Sequence, residues 1–309
     1  MTDWPKGAYK WQEDDTLYIS VPFTWNLPAV RNDLEQGSWF WKHAVVGGPA
    51  VDLMPDYLAG IPNVTVGGTM EGVLQRVNPG ATRTTLGCVR KCAFCGIGTG
   101  RIEPGGFREL ADWPDQPILC DNNLLAASDA HVERVCRRLQ AHGWADFNQG
   151  LDARLMTTEK ARMIAAIGKP KCRLSLDSAS ETAAVATAID TLRGAGITKA
   201  LISIYVLIAF DSDPAECWKR CLWVEEQGYT PCPMWYHALD CLKGNAVSED
   251  QATLGWTEAD RTHIMGYFYK RRGTPPEPAE DAPGAIRGVP VREQCSVRCP
   301  KQRQLREAQ

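Results

Sequence analysis

Long apolar runs are missing from this sequence of 309 residues. No stretch approaches the roughly 18 consecutive apolar residues that a membrane-spanning helix needs, and the longest run, residues 200–210, has the length of a buried strand. The opening MTDWPKGAYKWQEDD lacks the basic and then apolar pattern of a secretory signal. These two absences argue against a membrane or secreted protein, and we expect a cytoplasmic one.

An excess of charge of one sign is also missing. The formal net charge is −3 and the sequence pI is about 6.0, which excludes a protein whose whole surface binds polyanions. The hydrophobic share of 44% and the charged share of 23% are typical of globular chains. The sequence therefore predicts a globular protein with a sizeable core and no internal repeat.

Cysteine, by contrast, is abundant, with twelve residues. Disulfides seldom persist in a reducing compartment, so we expect buried thiols and metal ligands. Cys88, Cys92 and Cys95 form a C-x3-C-x2-C motif within TLGCVRKCAFCGIG, on a loop after a predicted strand. Thiolates suit iron–sulfur clusters or zinc, but a structural zinc site takes four protein ligands. Three ligands favour a 4Fe–4S cluster with one open iron; a zinc site and three incidental thiols are the alternatives.

Strand-like and helix-like segments alternate through residues 81–240, which predicts an α/β fold with a parallel sheet. We expect a partial (βα)6 TIM-like barrel here, with functional groups at the carboxyl ends of its strands. An N-terminal α/β extension would occupy residues 1–80. A C-terminal extension over residues 241–309 would form an irregular wrap, with a Pro/Gly-rich linker and a basic tail. The predicted strands are 83–87, 117–121, 145–150, 172–177, 200–210 and 230–236. A further strand is predicted at 43–47 in the N-terminal extension, and helices are predicted to begin at Ser128-Asp129, Thr157-Thr158-Glu159 and Asp213-Pro214.

The cysteine motif resembles that of the radical S-adenosylmethionine (SAM) superfamily, in which an aromatic residue, here Phe94, precedes the last cysteine. The resemblance covers roughly residues 81–240. It implies that Cys88, Cys92 and Cys95 bind a 4Fe–4S cluster whose open iron is chelated by the methionine part of SAM. An electron from the cluster then cleaves SAM to methionine and a 5′-deoxyadenosyl radical. The resemblance also implies an electron donor such as flavodoxin or ferredoxin.

Polar side chains follow three further predicted strands and are candidates for contacts with SAM or substrate. Each has a structural alternative: a turn and helix cap for Asp121 and Asn122, an internal salt bridge of Asp152 in the segment FNQGLDARL, and a helix N-cap for Asp177. The superfamily commonly carries a glycine-rich acidic motif at the second strand, and this sequence lacks its glycines. The candidates, with Phe94, are Asp121, Asn122, Asn148, Gln149 and Asp177.

The flanking regions allow weaker predictions. Residues 40–70 resemble part of the cobalamin-binding domains that precede some barrels of this superfamily, but they lack the D-x-H-x-x-G motif, so a degenerate α/β extension is favoured over cobalamin binding. Cys295 and Cys299 are candidate ligands of an auxiliary cluster, with plain tail thiols as the alternative. Residues 287–309 carry six Lys and Arg against two Glu. This basic tail suits contact with nucleic acid, although a solvated tail is commoner.

Three functions follow from these patterns. The first is reductive cleavage of SAM that starts radical chemistry on an unidentified substrate. The second is methyl or methylthio transfer that also uses cobalamin or a second cluster. The third belongs to a different class and is a zinc-stabilised module that binds nucleic acid.

Overall fold

The computed structural model of the chain describes residues 4–37, 40–68 and 70–270. These residues fall into two compact units. The larger comprises the described residues of Met1–Ser175, Ser180–Ile202 and Tyr236–Ala246, and the smaller those of Leu176–Ala179, Ser203–Trp235 and Val247–Gln309. None of the helices described is long and apolar enough to cross a lipid bilayer. The predicted basic tail lies outside the described residues, and the three-domain division stays a prediction.

The larger unit begins with a four-stranded sheet. Its strands, in their spatial order, are β1 (Tyr9–Glu13), β2 (Thr16–Ser20), β3 (His43–Gly47) and β4 (Val64–Val66). The first pair is antiparallel and the others are parallel. Helix α1 (Leu27–Gln36) connects β2 to β3 and buries Val30 and Leu34 in a core with Ile19 and Val46. Two short helices follow, α2 (Pro49–Leu53) and α3 (Val73–Val77).

A second sheet of the larger unit is parallel. The strands that follow along the chain are β5 (Ala81–Thr82), β6 (Thr85–Leu86), β7 (Arg108–Glu109), β8 (Ile118–Leu119), β9 (Trp144–Phe147) and β10 (Lys169–Leu176). Strands β5, β8, β9 and β10 pair in that order, all parallel, whereas β6 and β7 form an antiparallel ribbon. The predicted α/β class is therefore confirmed. The strands described do not close into a barrel, and the barrel stays a prediction.

Helices connect the parallel strands, and the first two of them begin at the caps that the sequence predicts. They are α4 (Asp129–Gln140), α5 (Thr158–Ala165) and α6 (Thr182–Gly194). The side chain of Ser128 accepts the backbone N–H of His131, and that of Thr157 accepts the N–H of Lys160. Each cap satisfies an N–H that the first helical turn leaves unbonded and contributes about 0.5–2 kcal/mol. One face of α4 is buried through Val132, Val135 and Leu139.

Of the stretch from 83 to 87, predicted as one strand, only Thr85 and Leu86 form a strand. Strand β5 ends at Thr82, and the chain then leaves the parallel sheet to form β6 in the ribbon. The buried carboxylate of Asp121 accepts the backbone N–H groups of Thr84 (2.7 Å) and Thr85 (2.5 Å). The predicted bounds are wrong because a carboxylate far along the chain takes up the backbone groups that would have continued the strand.

The smaller unit pairs β11 (Ile202–Ile208) with β12 (Pro231–Trp235) in parallel, and α7 (Pro214–Glu226) connects them. The predicted irregular wrap is wrong for part of the C-terminal extension, which forms α8 (Glu249–Thr253) and α9 (Glu258–Lys270). Ser248 and Gln251 form a reciprocal capping box that starts α8. Ile264 and Phe268 of α9 are fully buried, and this burial stabilises a helix whose sequence shows little amphipathic periodicity.

Candidate functional site

The loop that carries the three cysteines joins β6 to β7 and is fixed at its base by Gly87. This glycine has a left-handed φ of 68°, and a Cβ there would lie 2.1 Å from the carbonyl oxygen of Gly106. Only glycine fits such a close backbone approach at a positive φ. The residue before Cys88 is therefore held against the far end of the same loop, which fixes where the cysteine segment begins.

The cysteine loop folds tightly on itself. The N–H of Cys95 donates to the carbonyl of Cys92 (3.1 Å), and the N–H of Thr99 donates to the carbonyl of Cys95 (2.9 Å). A Cβ on Gly98 would lie 2.6 Å from the backbone nitrogen of Cys92. In the part of the chain that the structure describes, no group of three or more His, Cys, Asp or Glu side chains is arranged to hold a metal ion. That the three sulfurs converge on one cluster stays a prediction.

Exposure separates the motif cysteines from most of the others. Cys88, Cys92 and Cys95 are half-buried, as is Cys241, whereas the other described cysteines are buried. Burial raises the pKa of Cys120, Cys136 and Cys172 to about 12, which keeps these thiols protonated. The expected buried thiols are therefore present, and Cys120, Cys136 and Cys172 are among them. Deprotonation to a thiolate ligand is thus unfavourable at these three buried thiols.

Asp121 anchors the chain just before the cysteine loop. Its carboxylate is buried and, besides the two backbone N–H groups, accepts the hydroxyls of Thr85 (2.9 Å) and Thr84 (3.1 Å). Burial raises the pKa of Asp121, although these four donated bonds oppose the shift. The carboxylate is therefore engaged by the protein itself. A contact with SAM stays a prediction, and the observed bonds give Asp121 a holding role.

Glu103 forms a second anchor inside the loop. It pairs with Arg83, whose Nη2 lies 2.8 Å from its Oε2, and it accepts the N–H of Gly87 (2.9 Å) and the amide of Asn122 (3.0 Å). Burial favours a higher pKa, but the hydrogen bond and charge of Arg83 lower the pKa of Glu103 below its ordinary value. Asn122, a predicted SAM contact, therefore donates its amide hydrogen bond to the carboxylate of Glu103.

Asn123, which is not among the residues predicted from the sequence, has its side chain beside the first motif cysteine. Its side chain is buried, and its Nδ2 lies 3.7 Å from the Sγ of Cys88 and 3.1 Å from Oδ2 of Asp152. Its Oδ1 is buried and has no hydrogen-bond partner among the described residues. A signal existed in the segment DNNLL, where both asparagines follow the strand, but the sequence does not indicate which one faces the cysteines.

Asp152 lies at the centre of an ion-pair network beside the loop. Its Oδ2 accepts Nε of Arg90 (2.7 Å), and its Oδ1 accepts Nε of Arg154 (2.8 Å). Arg154 also pairs with Glu181 (2.7 Å), and a shallow depression beside this pair includes Ser175 in its lining. Of the two interpretations of this segment, the internal salt bridge is the one the structure contains. It joins the cysteine loop, through Arg90, to the connection after β9.

The remaining predicted residues are more scattered. Asn148 lies beside the thiol of Cys120, and Gln149 is exposed at the surface. Phe94 is half-buried within the cysteine loop. Asp177 belongs to the smaller unit, where its backbone carbonyl accepts Nη1 of Arg220 (2.8 Å). Cys295 and Cys299 lie outside the described residues.

Comparison with known proteins identifies no family. No family model matches the chain, and no curated protein matches its sequence. Its structure is similar to that of the radical S-adenosylmethionine methyltransferase TsrM from Kitasatospora setae, solved with its tryptophan substrate and the SAM analogue aza-SAM. The TM-score is 0.50 and the sequence identity is 14%, over 73% of this chain and 62% of that chain. The chain thus spans less than two thirds of that protein's length, and at this identity the likeness shows the fold alone.

Proposed function

We propose that this chain is a radical SAM enzyme that binds a 4Fe–4S cluster through Cys88, Cys92 and Cys95 and cleaves SAM reductively. The observation that carries the proposal is the loop itself: three half-buried thiols, with a glycine-fixed base, in a chain whose other described cysteines are mostly buried. The fold likeness to a radical SAM methyltransferase supports it. When bound, the cluster would supply the electron that breaks a carbon–sulfur bond of SAM.

The donor set of the loop fits a thiolate-bound cluster. Two N–H groups face the sulfur of Cys88, namely the backbone N–H of Arg90 at 3.3 Å and the amide of Asn123. Hydrogen-bond donors favour an anionic sulfur over a thiol. Arg90 and Arg154 also lie beside the loop, where the carboxylates of Asp152 and Glu181 balance their charges. The two N–H donors therefore suit a Cys88 sulfur that carries negative charge.

Asn123 also suits the contact with SAM that the sequence predicts for Asp121 and Asn122. The ammonium group of SAM has three N–H donors and needs acceptors. In the part of the chain that the structure describes, the Oδ1 of Asn123 is a buried acceptor without a partner, whereas the Oδ1 and Oδ2 atoms of Asp121 already accept four bonds. In this proposal Asn123 binds the ammonium and Asp121 holds the loop. Asn148 and Gln149 stay candidates for the rest of the pocket, and a role for Asp177 in SAM binding stays a prediction.

The test is anaerobic reconstitution followed by iron analysis and turnover with SAM and dithionite. We expect about four irons per chain, a brown colour, and release of 5′-deoxyadenosine and methionine. Cys88→Ala, Cys92→Ala and Cys95→Ala should each lose both the iron and the cleavage. Cys136→Ala, the same substitution at a buried thiol, should retain them. Stoichiometric zinc in colourless protein would refute the proposal and favour the nucleic-acid-binding module.

Methyl transfer from SAM is a second candidate, because the similar structure is that of a methyltransferase. The two reactions leave different products: methyl transfer yields S-adenosylhomocysteine and a methylated acceptor, whereas reductive cleavage yields 5′-deoxyadenosine. Chromatography of the same reaction mixtures distinguishes them. About eight irons per chain, or bound cobalt, would favour the version with a second cluster or cobalamin.

A further inference from the structure

The amide of Asn123 is held in one orientation. The residue is only 3% exposed, and its Nδ2 lies within hydrogen-bond distance of both Oδ2 of Asp152 and Sγ of Cys88. A carboxylate accepts hydrogen bonds and cannot donate them, so the nitrogen end of the amide must face Asp152. The second hydrogen of the same NH2 group is then available to the cysteine sulfur.

Asp152 is itself fixed in place. Its side chain is 6% exposed, and its two oxygens accept Nε of Arg90 and Nε of Arg154 in addition to the amide of Asn123. The hydrogen bond of Arg154, together with the bonds of Arg90 and Asn123, lowers the pKa of Asp152 against the opposing effect of burial. The acceptor that orients Asn123 is thus a buried anion with two cationic partners.

We propose that Asn123, oriented by Asp152, is a positioning residue that donates an N–H···S hydrogen bond to Cys88 and raises the reduction potential of the cluster. This inference rests on the proposed function. Hydrogen bonds to the sulfurs of an iron–sulfur cluster stabilise its more negative, reduced state and shift the potential to less negative values. The backbone N–H of Arg90 faces the same sulfur, so Asn123 supplies the donor that a side-chain substitution can remove.

The experiment measures the midpoint potential of the reconstituted cluster, without SAM, by redox titration monitored with electron paramagnetic resonance. Asn123→Leu keeps the branched shape of the side chain and removes the N–H, and we expect its potential to shift to more negative values. Asn122→Leu is the matched control, because the Asn122 amide donates to Glu103 rather than to a sulfur. An unchanged potential in Asn123→Leu, or an equal shift in both variants, would overturn the inference.

A measurement on the unmutated protein covers the case in which Asn123→Leu takes up no iron. Protein labelled with ¹⁵N at the asparagine side chains should show a weak ¹⁵N coupling to the reduced cluster in pulsed resonance spectra. Absence of that coupling would refute the hydrogen bond. The two proposals fail separately: unmutated protein that binds no iron refutes the proposed function, whereas a cluster with no coupling and an unchanged potential refutes only the role of Asn123.

Discussion

The glycine before the first motif cysteine offers a sharp test of how the loop is built. Gly87 and Gly100 have nearly the same left-handed φ, 68° and 72°. An added Cβ at Gly87 would lie 2.1 Å from the carbonyl oxygen of Gly106, whereas at Gly100 nothing lies within 4 Å. The conformational cost of alanine, about 1–2 kcal/mol, is therefore common to both positions. Only Gly87→Ala adds a backbone clash, worth about 1–3 kcal/mol.

We expect the free energy of unfolding to fall by about 1–2 kcal/mol in Gly100→Ala and by about 2–5 kcal/mol in Gly87→Ala. Urea denaturation followed by tryptophan fluorescence measures both values, and their difference isolates the contact with Gly106. Because Cys88 follows Gly87 directly, iron uptake should fall more in Gly87→Ala as well. Equal loss of stability in the two variants would refute the claim that this approach fixes the base of the loop.

Two carboxylates provide the remaining predictions. Asp121→Ala leaves the N–H groups of Thr84 and Thr85 without acceptors and should lower the free energy of unfolding by about 2–6 kcal/mol. The control Asp121→Asn keeps an acceptor and should lower it by about 1 kcal/mol. Similar urea midpoints in the two variants would contradict this prediction. Burial opposes ionisation of Glu103, but the hydrogen bond and charge of Arg83 lower the pKa of this carboxyl. The stability that ionised Glu103 contributes is therefore complete above the ordinary pKa of 4.5. It is lost as the pH falls through the lowered pKa. Glu103→Gln should therefore cost about 1–3 kcal/mol at pH 7 and progressively less in acid, and a pH-independent difference in thermal or urea unfolding would refute the assignment.

Local signals in the sequence were sufficient for much of the fold. The caps at Ser128, Thr157 and Asp213 are where the sequence places them, because capping depends on residues three positions apart. Strand β3 matches the residues of its predicted segment. The strand predicted at 83–87 is wrong, because its end depends on Asp121, which lies 37 residues from Thr84. The capping box at Ser248 was present in the sequence and was overlooked.

The order of amino acids by itself determined the α/β class, the helix starts and the choice of Cys88, Cys92 and Cys95 as candidate ligands. Caps, periodicity and the spacing of the cysteines depend on residues a few positions apart, so the sequence alone is sufficient to recognise them. Tertiary structure decided which polar side chain at the end of β8 faces the cysteines. Asp121 holds the backbone, Asn122 binds a loop carboxylate, and Asn123 faces the sulfur of Cys88. These three adjacent residues differ in role because each is matched to partners that only the folded chain brings within hydrogen-bond distance.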